Sequence, residues 1–242
     1  MRWGRMIAGI LLAAVVVSGC TVRSLSPEAQ EGIRNIGIIS AVGDQLLMQN
    51  VPYFAWDQEE YAHPIASWGL DDHVTSKLAQ QLGTRYTVKP VQHDRAAFYD
   101  RTAYDVDDTL RALPKGEDLD AYVVILKGRG QVGLTRTIAR GMGVVRFTTF
   151  TDRRDIHALY QIVVVDARSF ELLGSADAVD LGSSFFDGHM SEGPHQEADE
   201  GLALPEEEPI TASQEEAIRK VLVSLIDQTM ADTVKRVKLI QP

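Results

Sequence analysis

The sequence is poor in cysteine, in positive charge and in long apolar runs. Its 242 residues contain one cysteine, Cys20, which excludes an intrachain disulfide and any zinc site built from two or more cysteines. Lysine and arginine number 24 against 34 aspartate and glutamate residues, which gives a net charge of −10. This acidity argues against nucleic acid as the main partner, because phosphate binding needs clustered positive charge. No apolar run reaches the ~20 residues that a helix needs to cross a bilayer.

The first twenty residues have the pattern of a secretion signal. Arg2 and Arg5 supply positive charge, and an uninterrupted apolar run extends from Met6 to Val17. The run is too short for a membrane helix and ends at the small residues Ser18 and Gly19, which suit a peptidase. We therefore expect residues 1–19 to be a signal peptide that is removed.

The end of this signal, Val17-Ser18-Gly19-Cys20, resembles the lipobox of bacterial lipoproteins, although leucine is commoner where Val17 stands. The resemblance implies that Cys20 receives diacylglycerol and becomes the new N-terminus, so that lipid holds the protein on a membrane facing the periplasm. In lipoproteins of diderm bacteria, Thr21 in place of an aspartate favours the outer membrane. The alternative is an ordinary signal peptide with a chance cysteine, but lipidation explains why the chain has a single thiol.

The mature chain is predicted to be an acidic body on a short linker. Loss of residues 1–19 takes away Arg2 and Arg5 and no acid, so the net charge moves from −10 to −12. Residues 20–32 carry little apolar content and are interpreted as a lipidated tether. Residues 33–242 have the length and apolar content of a single α/β domain.

Hydrophobic periodicity predicts strands and helices along this domain. A helix over 70–82 is expected to be capped by Asp71 or Asp72 and to end at a left-handed Gly83, and a final helix is expected to begin with a capping box of Ser213 and Glu216. The final helix carries a continuous apolar stripe, which we expect to pack on a sheet: Ile218, Val221, Leu222, Leu225, Ile226, Met230, Val234 and Val237. The other expected elements are strands at 33–39, 46–51, 86–91 and 121–126, a helix at 106–113 stopped by Pro114, and a three-strand meander at 144–150, 157–165 and 170–179.

These elements predict an α/β two-layer sandwich, with a mixed sheet that includes an antiparallel meander and a long C-terminal helix packed on it. The order of elements over residues 33–180 and 211–237 resembles three envelope proteins: the curli-secretion lipoprotein, the lipoprotein activators of penicillin-binding proteins, and the amino-terminal domain of the Tol-system propeller protein. The resemblance implies a role through protein contacts in the envelope. It carries over no functional residue.

A glycine-rich segment at 127–143 contains Gly128-Arg129-Gly130-Gln131-Val132-Gly133, which matches the dinucleotide-binding pattern, with Asp152 where a ribose-binding acid could stand. We reject this interpretation, because the pattern needs a crossover helix after the glycines and residues 134–140 are too short to form one. A flexible loop is the simpler interpretation. No nucleotide or other cofactor is therefore expected.

Charge is unevenly distributed around this loop. Between Lys127 and Arg154 seven basic residues face one acid, Asp152, whereas residues 181–209 form an acidic loop without lysine or arginine. The basic segment could neutralise the acidic loop within the molecule, or it could bind an anionic envelope partner, either an anionic lipid or an acidic protein. Under the second interpretation the binding residues are Arg129, Arg136 and Arg140.

The sequence offers no convincing catalytic residue or metal site. His189 and His195 share the acidic loop with carboxylates, but their spacing matches no known metal site, and His157 is expected to pack within the fold. We therefore expect a non-enzymatic binding or assembly protein. The alternative is a periplasmic enzyme or a carbohydrate-binding module that uses the loop from Trp56 to Trp68, because two tryptophans in one loop favour a contact surface.

Replacement of the lipidated cysteine tests the anchor. We expect Cys20→Ala to move the protein from the membrane fraction to the soluble fraction, or to leave it as uncleaved precursor, because no other predicted segment can hold it on a membrane. Metabolic labelling with a clickable fatty acid measures this directly. Label on the alanine variant would contradict the lipobox assignment.

Overall fold

The computed structural model describes residues 22–51, 59–114, 118–132, 137–148, 153–179, 193–198 and 210–240. None of the helices in these ranges is long and apolar enough to span a membrane. The helices are α1 (Pro27–Gly32), α2 (Leu70–Leu82), α3 (Val106–Arg111) and α4 (Ala212–Arg236). The strands are β1 (Asn35–Ala41), β2 (Gln45–Val51), β3 (Glu59–Pro64), β4 (Thr87–Lys89), β5 (Ala121–Lys127), β6 (Arg129–Val132), β7 (Thr137–Arg140), β8 (Met142–Phe147), β9 (Arg153–Ala158), β10 (Tyr160–Asp166), β11 (Leu172–Asp177) and β12 (His195–Glu197).

The predicted α/β class is confirmed, but the strands form two mixed sheets and a separate hairpin. Sheet 1 has the order β11-β10-β5-β1-β4, and sheet 2 has the order β12-β9-β8-β2-β3. In sheet 1, β1 runs parallel to β4 and β5 while β10 and β11 are antiparallel to their neighbours; in sheet 2, β2 runs parallel to β8. Strands β6 and β7 pair only with each other.

The two sheets are joined where strand β9 runs into strand β10. The predicted strand 157–165 is interrupted at Leu159, so the stretch before it pairs with β8 in sheet 2 and the stretch after it pairs with β5 in sheet 1. The three-strand meander expected from sequence is therefore divided between the sheets. Both successive pairs are antiparallel as expected, β8 with β9 in sheet 2 and β10 with β11 in sheet 1.

Glycines make this junction possible. Three backbone hydrogen bonds close a ring: Gly128 N–H donates to the Leu159 carbonyl (2.9 Å), Leu159 N–H to Gly141 (2.8 Å), and Gly141 N–H to Gly128 (3.0 Å). A Cβ at Gly128 would lie 2.8 Å from the carbonyl carbon of Tyr160, and Gly141 has a φ of +65°. Side chains at these two positions would clash or strain the backbone.

Helix α4 packs on both sheets. The predicted apolar stripe is buried, except that Val221 is only partly covered, and it shares one core with the inner faces of sheets 1 and 2 and with helix α2. The other face of sheet 1 packs against α3 and the 3-10 turn Arg95–Phe98. The expectation that the stripe packs on a sheet is therefore confirmed.

Two predicted helix ends are wrong. The capping box of α4 uses Thr211 and Gln214 in place of Ser213 and Glu216. Helix α2 begins after Gly69, and Gly83 is right-handed with a φ of −63°. Asp71 turns inward instead of capping α2: its carboxylate accepts hydrogen bonds from Ser40 Oγ (2.7 Å) and from the Val42 N–H (2.8 Å), so it fastens α2 to the end of β1.

The folded body begins before residue 33. Leu25 is 1% exposed in the main core, and Arg23 exchanges two backbone hydrogen bonds with Ser175 on the edge strand β11 (2.8 and 2.7 Å). Helix α1 follows, capped by the Ser26 side chain. Residues 23–32 are thus part of the body and not of the tether predicted for 20–32.

A carboxylate placed in the apolar stripe tests the role of α4. We expect Leu222→Asp to lower the free energy of unfolding by at least about 3 kcal/mol, because an unpaired charge would enter the shared core. Gln228→Asp on the exposed side of the same helix is the matched control and should cost less than about 1 kcal/mol. Urea unfolding of the two purified variants measures both free energies of unfolding. Equal losses in Leu222→Asp and Gln228→Asp would contradict the packing of α4.

Candidate functional site

The hairpin β6–β7 lies over the outer face of sheet 2 and leaves a cleft of about 420 Å³ beside it. The predicted loop at 127–143 is therefore a β-hairpin over its described residues. Because the chain turns back as β7 after the glycines, the crossover helix of a dinucleotide site is not present there, as expected. The cleft is lined by Gln45, Leu47, Gln49, Glu60, Ala62, Lys127, Arg129, Ile138, Ala139, Arg140, Gly141 and Met142.

Two of the three predicted arginines meet in this cleft. Arg129 and Arg140 stand directly opposite each other in the β6–β7 ladder, an arrangement in which like charges repel. Arg140 Nη2 lies 3.4 Å from Asp100 Oδ1, whereas Arg129 is exposed and has no carboxylate within 4.0 Å among the described residues. The third arginine, Arg136, lies outside the described residues. An anion bound between Arg129 and Arg140 would relieve the repulsion.

Lys127 also reaches the cleft, but it is already paired. Its side chain is 7% exposed, and Nζ lies 2.8 Å from Asp44 Oδ2 and 3.8 Å from Asp100 Oδ1. A buried ammonium with two carboxylates beside it holds the base of the hairpin in place. Among the described basic residues that line the cleft, Arg129 is the one without a carboxylate within 4.0 Å.

The opposite wall of the cleft is polar and the floor is apolar. Gln49 Nε2 donates to Glu60 Oε2 (3.0 Å), and Gln49 Oε1 is buried without a hydrogen-bond partner. Leu47 and Met142 contribute apolar surface, and Ile138 on β7 is 71% exposed. Such a cleft can recognise an anionic group together with a hydrogen-bond donor and a small apolar segment. This wall had no signal in the sequence, because β2 and β3 are distant from the hairpin along the chain.

Beneath the hairpin, the outer face of β9 carries buried charged and titratable groups. Asp155 is fully buried and receives two hydrogen bonds from Arg153 Nε and Nη2 (3.0 Å each). The ring of His157 lies against Gly143, where a Cβ would come within 2.5 Å of the ring. Burial lowers the pKa of His157 to about 4, the Arg140 carbonyl opposes this shift, and His195 on the adjacent strand β12 adds to it. His157 is thus a neutral packing residue, as the sequence suggests.

The remaining candidate residues are separate from the cleft. Trp68 is 7% exposed within the main core, and its carbonyl accepts a hydrogen bond from Arg219 Nε (2.8 Å), so it does not offer the contact surface expected of it. Trp56, His189 and Cys20 lie outside the described residues. His195 belongs to β12, and no group of three or more metal-binding side chains occurs in the described ranges.

One ion pair links the basic and acidic segments. Arg153 Nη1 lies 3.6 Å from Glu197 Oε2, which belongs to the segment predicted as an acidic loop. The described part of that segment, residues 193–198, contains strand β12 at the edge of sheet 2. Internal neutralisation therefore accounts for Arg153 but not for Arg129.

No protein-family model and no curated protein matches the chain. The solved structures that are similar to it include three bacterial proteins. A protein of the DUF330 family from Xanthomonas campestris is 8% identical, with coverage of 90% of this chain and 93% of that chain and a TM-score of 0.35. A lipoprotein from Neisseria meningitidis is 11% identical, with coverage of 81% of this chain and 99% of that chain and a TM-score of 0.28. A PelC dodecamer from Paraburkholderia phytofirmans is 10% identical, with coverage of 85% and 97% of the two chains and a TM-score of 0.28. Likenesses this remote assign neither a family nor a function to the chain.

The buried histidine predicts how stability depends on pH. The folded-state pKa of about 4 lies below the ordinary value of 6.5, so the unfolded chain binds the proton more readily between these values. Stability should therefore fall as the pH drops from ~6.5 to ~4, by up to about 3 kcal/mol from this residue. We expect His157→Gln to have a shallower loss of melting temperature over this range than the wild type. Parallel curves would show that His157 does not titrate in this way.

Proposed function

We propose that this chain is a bacterial envelope lipoprotein, anchored through lipid on Cys20 to the outer membrane and facing the periplasm. The apolar segment that ends at Val17-Ser18-Gly19-Cys20 supports export and lipidation, and Thr21 supports the outer membrane. The position of Arg23 adds to this support. It is fixed to the edge of sheet 1 only three residues after the cysteine, so the body is close enough to be held firmly at the bilayer.

The protein acts by binding and not by catalysis: it holds an anionic group of another envelope component in the cleft beside the β6–β7 hairpin. The observation that carries this proposal is the cross-strand pair of Arg129 and Arg140, in which Arg129 has no described carboxylate partner. Guanidinium groups bind carboxylate and phosphate in two-pronged geometry. The lining residues that could act as a nucleophile or base are already engaged, Lys127 Nζ with Asp44 (2.8 Å) and Glu60 with Gln49 (3.0 Å), which favours binding over turnover.

Binding of two anionic probes tests this role. The probes are a short polyglutamate peptide, which offers carboxylates, and vesicles that contain phosphatidylglycerol, which offer phosphate. The protein is expressed without residues 1–19. We expect Arg129→Ser to weaken binding of whichever probe the wild type binds more tightly by about tenfold, because one charge-assisted interaction is lost. The melting temperature should stay unchanged.

The matched control is Arg168→Ser, which removes an exposed arginine whose Nη2 lies 3.2 Å from Asp120 Oδ1, in the turn that follows β10 at the end away from Lys127 and the cleft. It should bind both probes as the wild type does. If neither probe binds at low salt, or if the two variants lose affinity equally, the cleft is not the anion site.

A further inference from the structure

The first described residues are locked to the C-terminal end of helix α4. The Leu25 N–H donates to the Val237 carbonyl (3.1 Å), and Ser24 Oγ donates to the Arg236 carbonyl (2.9 Å). With Leu25 in the core and Arg23 paired to β11, this segment cannot swing away from the body without unfolding locally. The start of the body and the end of α4 therefore form one rigid unit.

The covalent chain limits how far this unit can lie from a lipid on Cys20. Arg23 is three residues after Cys20, and a fully extended chain spans at most about 3.6 Å per residue, which gives about 11 Å. A lipid attached to Cys20 thus keeps Arg23 within about 11 Å of the lipidated residue, with the C-terminal end of α4 bonded to the next two residues.

This end of the molecule is locally basic within an acidic protein. Arg23 and Lys238 are exposed, and neither has a carboxylate within 4.0 Å among the described residues. Arg236 Nη1 donates to the backbone carbonyl of Asp177 (2.6 Å), and its charge opposes the rise that burial causes in the pKa of the Asp177 carboxyl, so Arg236 is engaged there. Lys235 is paired with Asp232 (3.0 Å). An anionic bilayer would repel most of the surface of such an acidic body but would attract this end.

One wall of the cleft lies near the first turn of α4. His63 on β3 lies 3.2 Å from Glu215 in that turn, and β3 also supplies Glu60 and Ala62 to the cleft. A helix of 25 residues is about 37 Å long, so this wall lies away from the anchored end. The hairpin side of the cleft is nearer to that end, because Asp177 pairs with β10 and β10 pairs with Lys127, which is a separation of two strands, or about 10 Å.

Building on the lipidation proposed above, we propose that the body stands on the membrane through the C-terminal end of α4. Arg23 and Lys238 contact anionic phospholipid headgroups there, and the first turn of α4, with the β3 wall of the cleft, lies farther from the bilayer that holds the anchor.

Two positions on α4 form a matched pair for measuring this orientation. Lys235 and Lys220 are both exposed lysines paired with an acid on the same helix, and they are 15 residues, or about 22 Å, apart. Because the thiol of Cys20 is acylated in the lipidated chain, Lys235→Cys or Lys220→Cys supplies the only free thiol. Each variant is purified from membranes, labelled with a fluorophore and reconstituted into phosphatidylglycerol vesicles that carry a headgroup quencher.

We expect several-fold stronger quenching at position 235 than at position 220. Equal quenching at the two positions, or stronger quenching at 220, would overturn the orientation. Fatty-acid labelling of the same preparations separates the two proposals. If Cys20 carries no label, both the lipidation and the orientation are wrong. If Cys20 is labelled but positions 235 and 220 are quenched equally, only the orientation is wrong.

The headgroup contact has its own test. In the Lys235→Cys background, the double change of Arg23→Ser and Lys238→Ser should reduce quenching in phosphatidylglycerol vesicles to the level seen in phosphatidylcholine vesicles. The control is Arg101→Ser in the same background, which removes an exposed arginine 3.8 Å from Asp105 and should leave the quenching unchanged. Quenching that stays the same in the double variant would overturn the role of these basic residues.

Discussion

The ring of hydrogen bonds among Gly128, Gly141 and Leu159 is the constraint on which the rest of this structure depends. It lets one continuous stretch of chain leave sheet 2 and enter sheet 1, and it also fixes both ends of the β6–β7 hairpin. The hairpin can therefore cover only the outer face of sheet 2, where it forms the cleft. Gly128, the first glycine of the segment that resembles a nucleotide-binding pattern, is needed here because the backbone of Tyr160 approaches too closely for a Cβ.

Helix α4 is the second requirement, because it closes a single core over both sheets. Its periodic stripe was predictable from sequence, since the stripe depends only on residues within the helix. The division of the strands between two sheets was not predictable. Residues 153–166 are apolar enough to form one long strand, and only the hydrogen bonds that Leu159 makes with Gly128 and Gly141 determine where it changes sheets. The early start of the body was missed for a similar reason, because a single apolar residue, Leu25, carries no periodic signal.

The candidate site shows the same limit. An excess of basic residues between positions 127 and 154 was enough to indicate an anionic partner and to select Arg129 and Arg140. Local sequence could not show that these two arginines face each other, or that Asp44 pairs with Lys127 and leaves Arg129 available. Nor could it place Gln49 and Glu60 opposite them, because residues from different strands meet only in the folded sheet.

Residues 23–25 contact the C-terminal end of α4 and its neighbour β11, and the β3 wall of the cleft lies near the first turn of that helix. This account depends most on lipid at Cys20, since both the membrane location and the orientation follow from it. Mass spectrometry of the N-terminal peptide from protein extracted from bacterial membranes tests that claim directly. The account predicts a peptide that begins at Cys20 and carries the mass of the attached acyl chains. A peptide that begins at another residue, or one with an unmodified Cys20, would contradict it.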